Sequence, residues 1–289
     1  AWERISPDCF RDGDAGSDQF EDLACQAGLF RGLLSVSLPG QTIHGRITSS
    51  GSSLNPTRLY NWHVDSEVVN LLLQINKEFY QTFALHFSAK RQRVQAGVSS
   101  ILDGIPRRAR ILDLGCGNGI VARELALRGF RGSYIGLEYV PELLELARKN
   151  LKDHANYIFL ERDLTTPDWP QDLPIDEFDF ILAFSVLHHL PGDPLRQGVL
   201  TQTRDLLCAS GHLALSVWQF LNSPRLRARL HAWDQVGLTQ EQVDAGDYLL
   251  DWREGGFGLR YVHHFNPTEL ASLAHECGYS VLKTFSSDG

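Results

Sequence analysis

A chain of 289 residues with 43% hydrophobic and 21% charged side chains is large enough for a real core, as one α/β domain with additions or as two domains. A net charge of −8 and a pI near 5.7 argue against a general nucleic-acid binder, though not against one with a local basic face. No run reaches the ~18 apolar residues of a membrane span, no basic region precedes an apolar core at the N-terminus, and the scattered Cys9, Cys25, Cys116, Cys208 and Cys277 fit a reducing compartment, so a cytoplasmic protein without a bound metal is expected.

Residues 1–62 carry no motif. An acidic opening (Asp12, Asp14, Asp18, Glu21, Asp22) and a Gly/Ser/Thr-rich stretch from Gln41 to Thr57 flank an apolar run from Leu29 to Leu38, which suits a short strand or helix. The segment is expected to be an appended, partly irregular piece, with the main domain covering 63–289. From Val64 to Leu102 the pattern is helical: Val68, Leu71, Leu72, Ile75, Phe79, Phe83 and Phe87 form one stripe, with a break expected near His86 to Ser88. Lys90, Arg91, Arg93, Arg107, Arg108 and Arg110 make this stretch locally basic.

Strands and helices then alternate. Strands are predicted at Arg110–Leu114, Ser133–Glu138, Tyr157–Glu161, Phe178–Phe184 and Gly211–Trp218. Helices are predicted at Ile120–Arg128, Pro141–Leu151 and Pro194–Leu207. That alternation means a doubly wound, mainly parallel sheet. Residues 221–258, with a basic helix candidate (Arg225, Arg227, Arg229), a second short helix near Gln240 and a turn at Gly255-Gly256, are expected to be an insertion over the ligand face. Asn266-Pro267-Thr268-Glu269 starts a helix to Cys277, followed by a strand at Ser280–Phe285.

The most informative stretch is Ile111-Leu112-Asp113-Leu114-Gly115-Cys116-Gly117-Asn118-Gly119. It joins a buried strand to a helix N-terminus, presenting backbone N–H groups to a nucleotide or nucleoside. A dinucleotide fingerprint would need a third glycine where Ile120 stands, and Asp113 suits a cation better than a pyrophosphate. Glu138, about twenty residues beyond the loop, stands where nucleoside-binding sheets place the acid that accepts both ribose hydroxyls.

The loop resembles motif I of the class I S-adenosylmethionine (SAM) methyltransferases. The resemblance implies a Rossmann-like methyltransferase sheet and SAM as cofactor. It places Asp113 at the methionine end, Gly115 and Gly117 at the backbone contacts, and Asp163 on the adenine amino group. Val140 and Leu164 would pack on the adenine, with Tyr139 beside Glu138, while Phe184 and Ser185 line the pocket near the transferable methyl. His188 and His189 bind substrate or are structural. The fold should end in an antiparallel hairpin whose last strand is missing here. A chain without methionine that opens at Ala1 and ends at Gly289 is therefore expected to be a processed, edited or partial reading frame.

Several flanks are similar to the tRNA wobble-uridine carboxyl methyltransferases, including the methyltransferase domain of an AlkB-like tRNA enzyme. These are Phe79-Tyr80, His86 to Arg91, His188-His189, Val217-Trp218, Gly246 to Trp252 and Arg260 to Phe265. The resemblance covers residues 76 to 289 and implies a tRNA partner, room for a small activator subunit, and a carboxylate acceptor. A carboxylate is already nucleophilic, so the need is for orientation rather than a base. Arg91 and Arg260 are candidates to orient it, with Tyr261 and His263 as donors; the arginines otherwise pair with surface acids. Lys90, Arg107, Arg108, Arg225, Arg227 and Arg229 form a phosphate-binding rim or are solvated helix faces. Two alternatives stand beside this: a methyltransferase of a small-molecule acid or hydroxyl, and a non-catalytic SAM-binding partner subunit.

Overall fold

The computed structural model describes residues 30–37, 64–90 and 92–287, with side chains for 64–89 and 92–287. The acidic opening, the Gly/Ser/Thr-rich stretch and Arg91 lie outside the described residues. The chain runs through β1 (Phe30–Ser37), α1 (Ser66–Lys90), α2 (Ala96–Leu102), β2 (Arg110–Leu114), α3 (Ile120–Leu127), β3 (Ser133–Glu138) and α4 (Pro141–Asn150). It continues through β4 (Tyr157–Glu161), β5 (Phe178–Phe184), α5 (Asp193–Asp205), β6 (Leu207–Trp218), α6 (Pro224–Arg227), β7 (Leu230–His231) and β8 (Asp247–Trp252), and then β9 (Gly258–His263), α7 (Pro267–Glu276) and β10 (Ser280–Ser286).

Seven strands form the central sheet in the order β10-β1-β6-β5-β2-β3-β4. The five from β6 to β4 are parallel, and β1 runs antiparallel to both β6 and β10. Strand order reverses between β5 and β2, so the crevice at their carboxyl ends is where such a sheet takes a ligand. Alternate residues of the parallel strands feed two cores. Leu112, Leu114, Ile135 and Leu137 pack toward α5 and α7, while Ile111 and Tyr134 pack toward α2, α3 and α4. The predicted cap of α7 is present: Glu269 N–H donates to Asn266 Oδ1 at 2.9 Å, and Asn266 N–H to Glu269 Oε2 at 3.2 Å.

Two expectations change here. The place of the strand expected to be missing is filled from the N-terminal region, where β1 lies between β6 and β10 with Leu34 opposite both Leu215 and Thr284. The segment expected to be appended therefore contributes a strand to the central sheet. In addition, α1 runs unbroken to Lys90, past the break expected near His86.

The insertion also differs. Its basic helix shrinks to α6 and its second helix to a 3-10 turn at Gln240–Gln242, and the rest is a small antiparallel sheet, β7-β8-β9. Sequence alternation did not reveal β8 because Leu249, Leu250, Asp251 and Trp252 are all buried. The sheet lies against α1: Val68 and Leu72 pack with Leu249 and Tyr261, and Phe79 and Phe83 with Trp252. Together α1 and this sheet cover the carboxyl edge of the parallel strands.

Deleting residues 1–62 removes β1 and leaves facing edges on β6 and β10. At about 1 kcal/mol net for each lost ladder bond, and about 2–4 °C per kcal/mol in a domain of this size, the truncated chain should melt about 10 °C lower or more. Circular-dichroism melts of the two chains would show it; coincident melts would mean that β1 adds nothing.

Candidate active site

The glycine loop owes its shape to a short set of backbone constraints. Gly119 caps α3 in the left-handed region (φ 76°), and a side chain there would meet Ala147 Cβ at 3.0 Å. Gly117 is also left-handed (φ 56°), which turns its N–H toward β3. There it donates to Glu138 Oε2 at 3.0 Å, while Tyr139 and Val140 N–H donate to Glu138 Oε1 at 2.9 and 3.0 Å. Burial pushes the Glu138 carboxyl up, and the three backbone donors pull it back. One buried carboxylate thus ties the loop to the start of α4.

Asp113 sits near the end of β2, 2% exposed, and accepts a hydrogen bond from the Tyr134 hydroxyl. Burial pushes its pKa up to about 7; the Tyr134 bond lowers it and the nearby Glu138 charge raises it. Such a carboxyl gains most from a cationic partner. Asp163, beyond β4, is half-buried and folds into an Asx turn, accepting from Thr165 N–H at 3.0 Å and Thr165 Oγ1 at 2.6 Å.

At the end of β5 the chain takes an unusual turn. Ser185 lies at φ 64°, in the left-handed region that a residue with a side chain enters only when its surroundings hold it there. Ser216 holds it: Ser185 N–H donates to the Ser216 carbonyl at 3.0 Å and lies 3.1 Å from its hydroxyl. A short 3-10 turn, Leu187–His189, follows. The Tyr80 hydroxyl lies 2.7 Å from His189 Nε2, and Asn76 Nδ2 donates to the His189 carbonyl at 3.2 Å. These groups surround one cavity of about 1320 Å³. Asp113, Gly115, Gly117, Glu138, Tyr139, Asp163, Leu164, Phe184 and Ser185 all line it, so the predicted cofactor residues converge.

Other predicted residues lie elsewhere. Val140, expected on the adenine face, is fully buried against Ala84 and Leu143. His188 is fully buried against Trp218 and does not line the cavity; its neighbour His189 does. Arg260 is enclosed by rings, its guanidinium 4.4 Å from Trp218, 5.2 Å from Phe79 and 5.8 Å from Trp252. It does not line the cavity.

Tyr261 and His263 belong to a buried charge network. Tyr261 donates to Asp247 at 2.7 Å and accepts from Arg196 at 2.9 Å. His263 sits between Asp247 (2.6 Å) and Glu269 (2.7 Å). Burial pulls the His263 pKa down, but those two bonds outweigh it and raise it. These residues therefore fasten β8 and β9 to α5 and α7, and the cavity takes no donor from them.

The rim arginines that the structure describes do not line the cavity either, and the side chain of Lys90 lies outside the described residues. Arg107 and Arg108 precede β2, about 15 Å from its carboxyl end by strand rise, and Arg229 is paired with Asp251 at 2.7 Å. What the sequence did not single out is Asn76, while Tyr80 entered only as part of a flanking resemblance and with no role in the site. Asn76 and Tyr80 reach the cavity from α1, and the signal was a lone buried amide within an apolar stripe.

The profile of the family described as "Methyltransferase domain" matches residues 86–284. A protein of Encephalitozoon cuniculi named as a methyltransferase is 27% identical over 208 residues, covering 71% of this chain and 86% of that one. The ubiquinone biosynthesis O-methyltransferase of Chromobacterium violaceum is 27% identical over 193 residues, covering 65% and 73%. Among solved structures, the CcbJ methyltransferase of Streptomyces caelestis is similar with a TM-score of 0.48 and 19% identity, covering 64% and 84%.

Two measurements test this geometry. Asp113 titrates near 7 when folded but near 3.8 when unfolded, so between those values the folded chain holds the extra proton and loses stability as pH rises. Relative to Asp113→Asn, the ligand-free chain should lose about 1.4 kcal/mol per pH unit from pH 5 toward 7, then level off. Parallel urea midpoints from pH 5 to 8 would refute it. Asp247→Ala leaves Arg196 and His263 short of their shared carboxylate and should cost about 3–5 kcal/mol, read in urea titrations; a loss under 1 kcal/mol would show the network to be dispensable.

Proposed function

This chain belongs to the methyltransferase domain family and is a SAM-dependent methyltransferase; on that premise, we propose that it methylates an oxygen of a small-molecule acceptor. The cavity residues fit the cofactor. Glu138 is a buried carboxylate already oriented by three amides, suited to accept the ribose hydroxyls. Asp113 is a buried acid that a neighbouring ammonium would stabilise in its charged form. Asp163 and Leu164 lie at the end where the adenine would rest, and Phe184 and Ser185 at the end of β5. When bound, SAM supplies an electrophilic methyl on sulfur.

The observation that carries the small-molecule reading is the charge around the cavity. Among its described lining residues the cationic ones are Lys77 and Arg93, both exposed, and the rings of Tyr80, Phe87 and Phe184 line it as well. A polyanion such as tRNA is gripped by many phosphate contacts from gathered Lys and Arg. Here the described arginines once expected to form that rim are dispersed or paired. The relatives include an O-methyltransferase of ubiquinone biosynthesis, which is consistent with an oxygen acceptor.

Calorimetry should show SAM binding, weakened about tenfold to a hundredfold in Glu138→Ala, the worth of one or two charge-assisted hydrogen bonds. Unchanged affinity in both Glu138→Ala and Asp113→Ala would sink the proposed pocket. With labelled SAM, the label should enter a small-molecule extract and not bulk tRNA. A methylated nucleoside recovered from digested tRNA would instead establish the tRNA reading.

A further inference from the structure

We infer that Tyr80 and His189 form a proton relay that activates a phenolic hydroxyl for methylation, an inference that rests on the methyltransferase reading and narrows its acceptor. The argument starts from the histidine tautomer. His189 Nδ1 lies 3.3 Å from the Tyr261 carbonyl oxygen, which can only accept, so Nδ1 carries the hydrogen. In the neutral ring Nε2 then has a lone pair, and the Tyr80 hydroxyl at 2.7 Å must be the donor. A tyrosine that donates its own proton can accept another at the same oxygen. Tyr80 lines the same cavity as Ser185 and Val186, which follow β5.

Both rings are held in place. Asn76 fixes the two backbones flanking the relay, donating to the His189 carbonyl at 3.2 Å and accepting from Tyr261 N–H at 2.8 Å. Tyr80 stands edge-on to Phe79 and Phe87, with centroids 5.0 and 5.3 Å apart. Among the described residues, titratable or charged side chains around the pair include His188, with its centroid 4.2 Å from His189, Tyr139, whose hydroxyl reaches the Asn76 carbonyl, and Arg260, which stacks on Trp218, a ring itself edge-on to His189 at 5.6 Å.

The step balances as follows. The acceptor O–H passes its proton to Tyr80 Oη as the Tyr80 proton moves to His189 Nε2, giving an imidazolium. The acceptor oxygen then forms its bond to the donor methyl carbon, and the methyl–sulfur bond breaks with its electron pair left on sulfur. His189 later releases the proton to solvent. A carboxylate acceptor would need none of this, since it is already ionised. A phenol needs a base, and the cavity is lined by the aromatic rings of Tyr80, Phe87 and Phe184, which suit an aromatic acceptor.

The test uses the full chain with 4-nitrocatechol, whose phenolate absorbs at longer wavelength than its phenol. Bound to the complex with S-adenosylhomocysteine, below the probe's own pKa, it should show the phenolate spectrum. Tyr80→Phe and His189→Gln should lose that spectrum and lower kcat for its methylation about a hundredfold, with SAM affinity unchanged. The fall of wild-type kcat/KM at low pH should also flatten in His189→Gln, which a purely structural role would not do. Binding without ionisation, no binding, or variants that behave as wild type would overturn the relay. So would methylation of benzoate in preference to 4-nitrocatechol, which leaves the methyltransferase reading standing. Loss of SAM binding by the wild-type chain would count against that reading itself. Should His189→Gln fail to fold, Tyr80→Phe preserves the ring and decides the matter alone.

Discussion

The site depends above all on one buried carboxylate. Glu138 accepts three backbone hydrogen bonds from two separate pieces of chain, the glycine loop after β2 and the turn into α4. Charge-assisted bonds to backbone N–H groups are among the stronger ones available to a protein, and the low local dielectric makes each count for more. Burying the carboxylate is costly on its own. Here the desolvation is offset by donors that the loop must satisfy anyway, since Gly117, Tyr139 and Val140 would otherwise bury amides without partners. The residue suited to grip the cofactor is also the one that shapes its binding loop.

Around that point the site divides into two halves with different construction. The donor half is made from strand ends: Asp113, Glu138 and Ser185 all sit where parallel strands stop, and their positions follow from strand register. The acceptor half is carried by α1, which the small β7-β8-β9 sheet presses onto the carboxyl edge. Asn76 joins the halves, reaching both the 3-10 turn after β5 and the backbone of β9. Rigidity in α1 therefore depends on β9, and β9 depends on the Arg196–Asp247–His263 cluster beneath it. Electrostatics far from the cavity set the position of Tyr80 within it.

The donor half was legible in the sequence because its signals are local. A glycine loop with a leading acid and an acid one strand later have fixed spacing, and buried parallel strands read as apolar runs. The acceptor half was not, because its residues come together only through long-range packing. Tyr80 and His189 are 109 positions apart, and Asn76 and Tyr261 are 185 apart. The β8 strand hid for a related reason: burial on both faces erased the alternation that marks a strand. β1 is the clearest case. The last antiparallel strand was expected to follow Gly289, and the apolar run from Leu29 to Leu38, which suited a short strand or helix, does not signal that its backbone pairs with β6 and β10.

Chemistry-bearing residue types were also a poor guide to place. Arg260, Tyr261 and His263 look like a catalytic run, yet a β-strand points successive side chains to opposite faces. Arg260 enters an aromatic box, while Tyr261 and His263 share the face that meets Asp247. A buried arginine or histidine is tolerated only where carboxylates or rings surround it, and β9 supplies both environments in three residues. What β9 does give the cavity is a backbone carbonyl. By accepting from His189 Nδ1, the Tyr261 carbonyl sets the histidine tautomer, and through it the direction of the Tyr80 proton. The strand acts on the chemistry through its main chain, where no side-chain motif would have shown it.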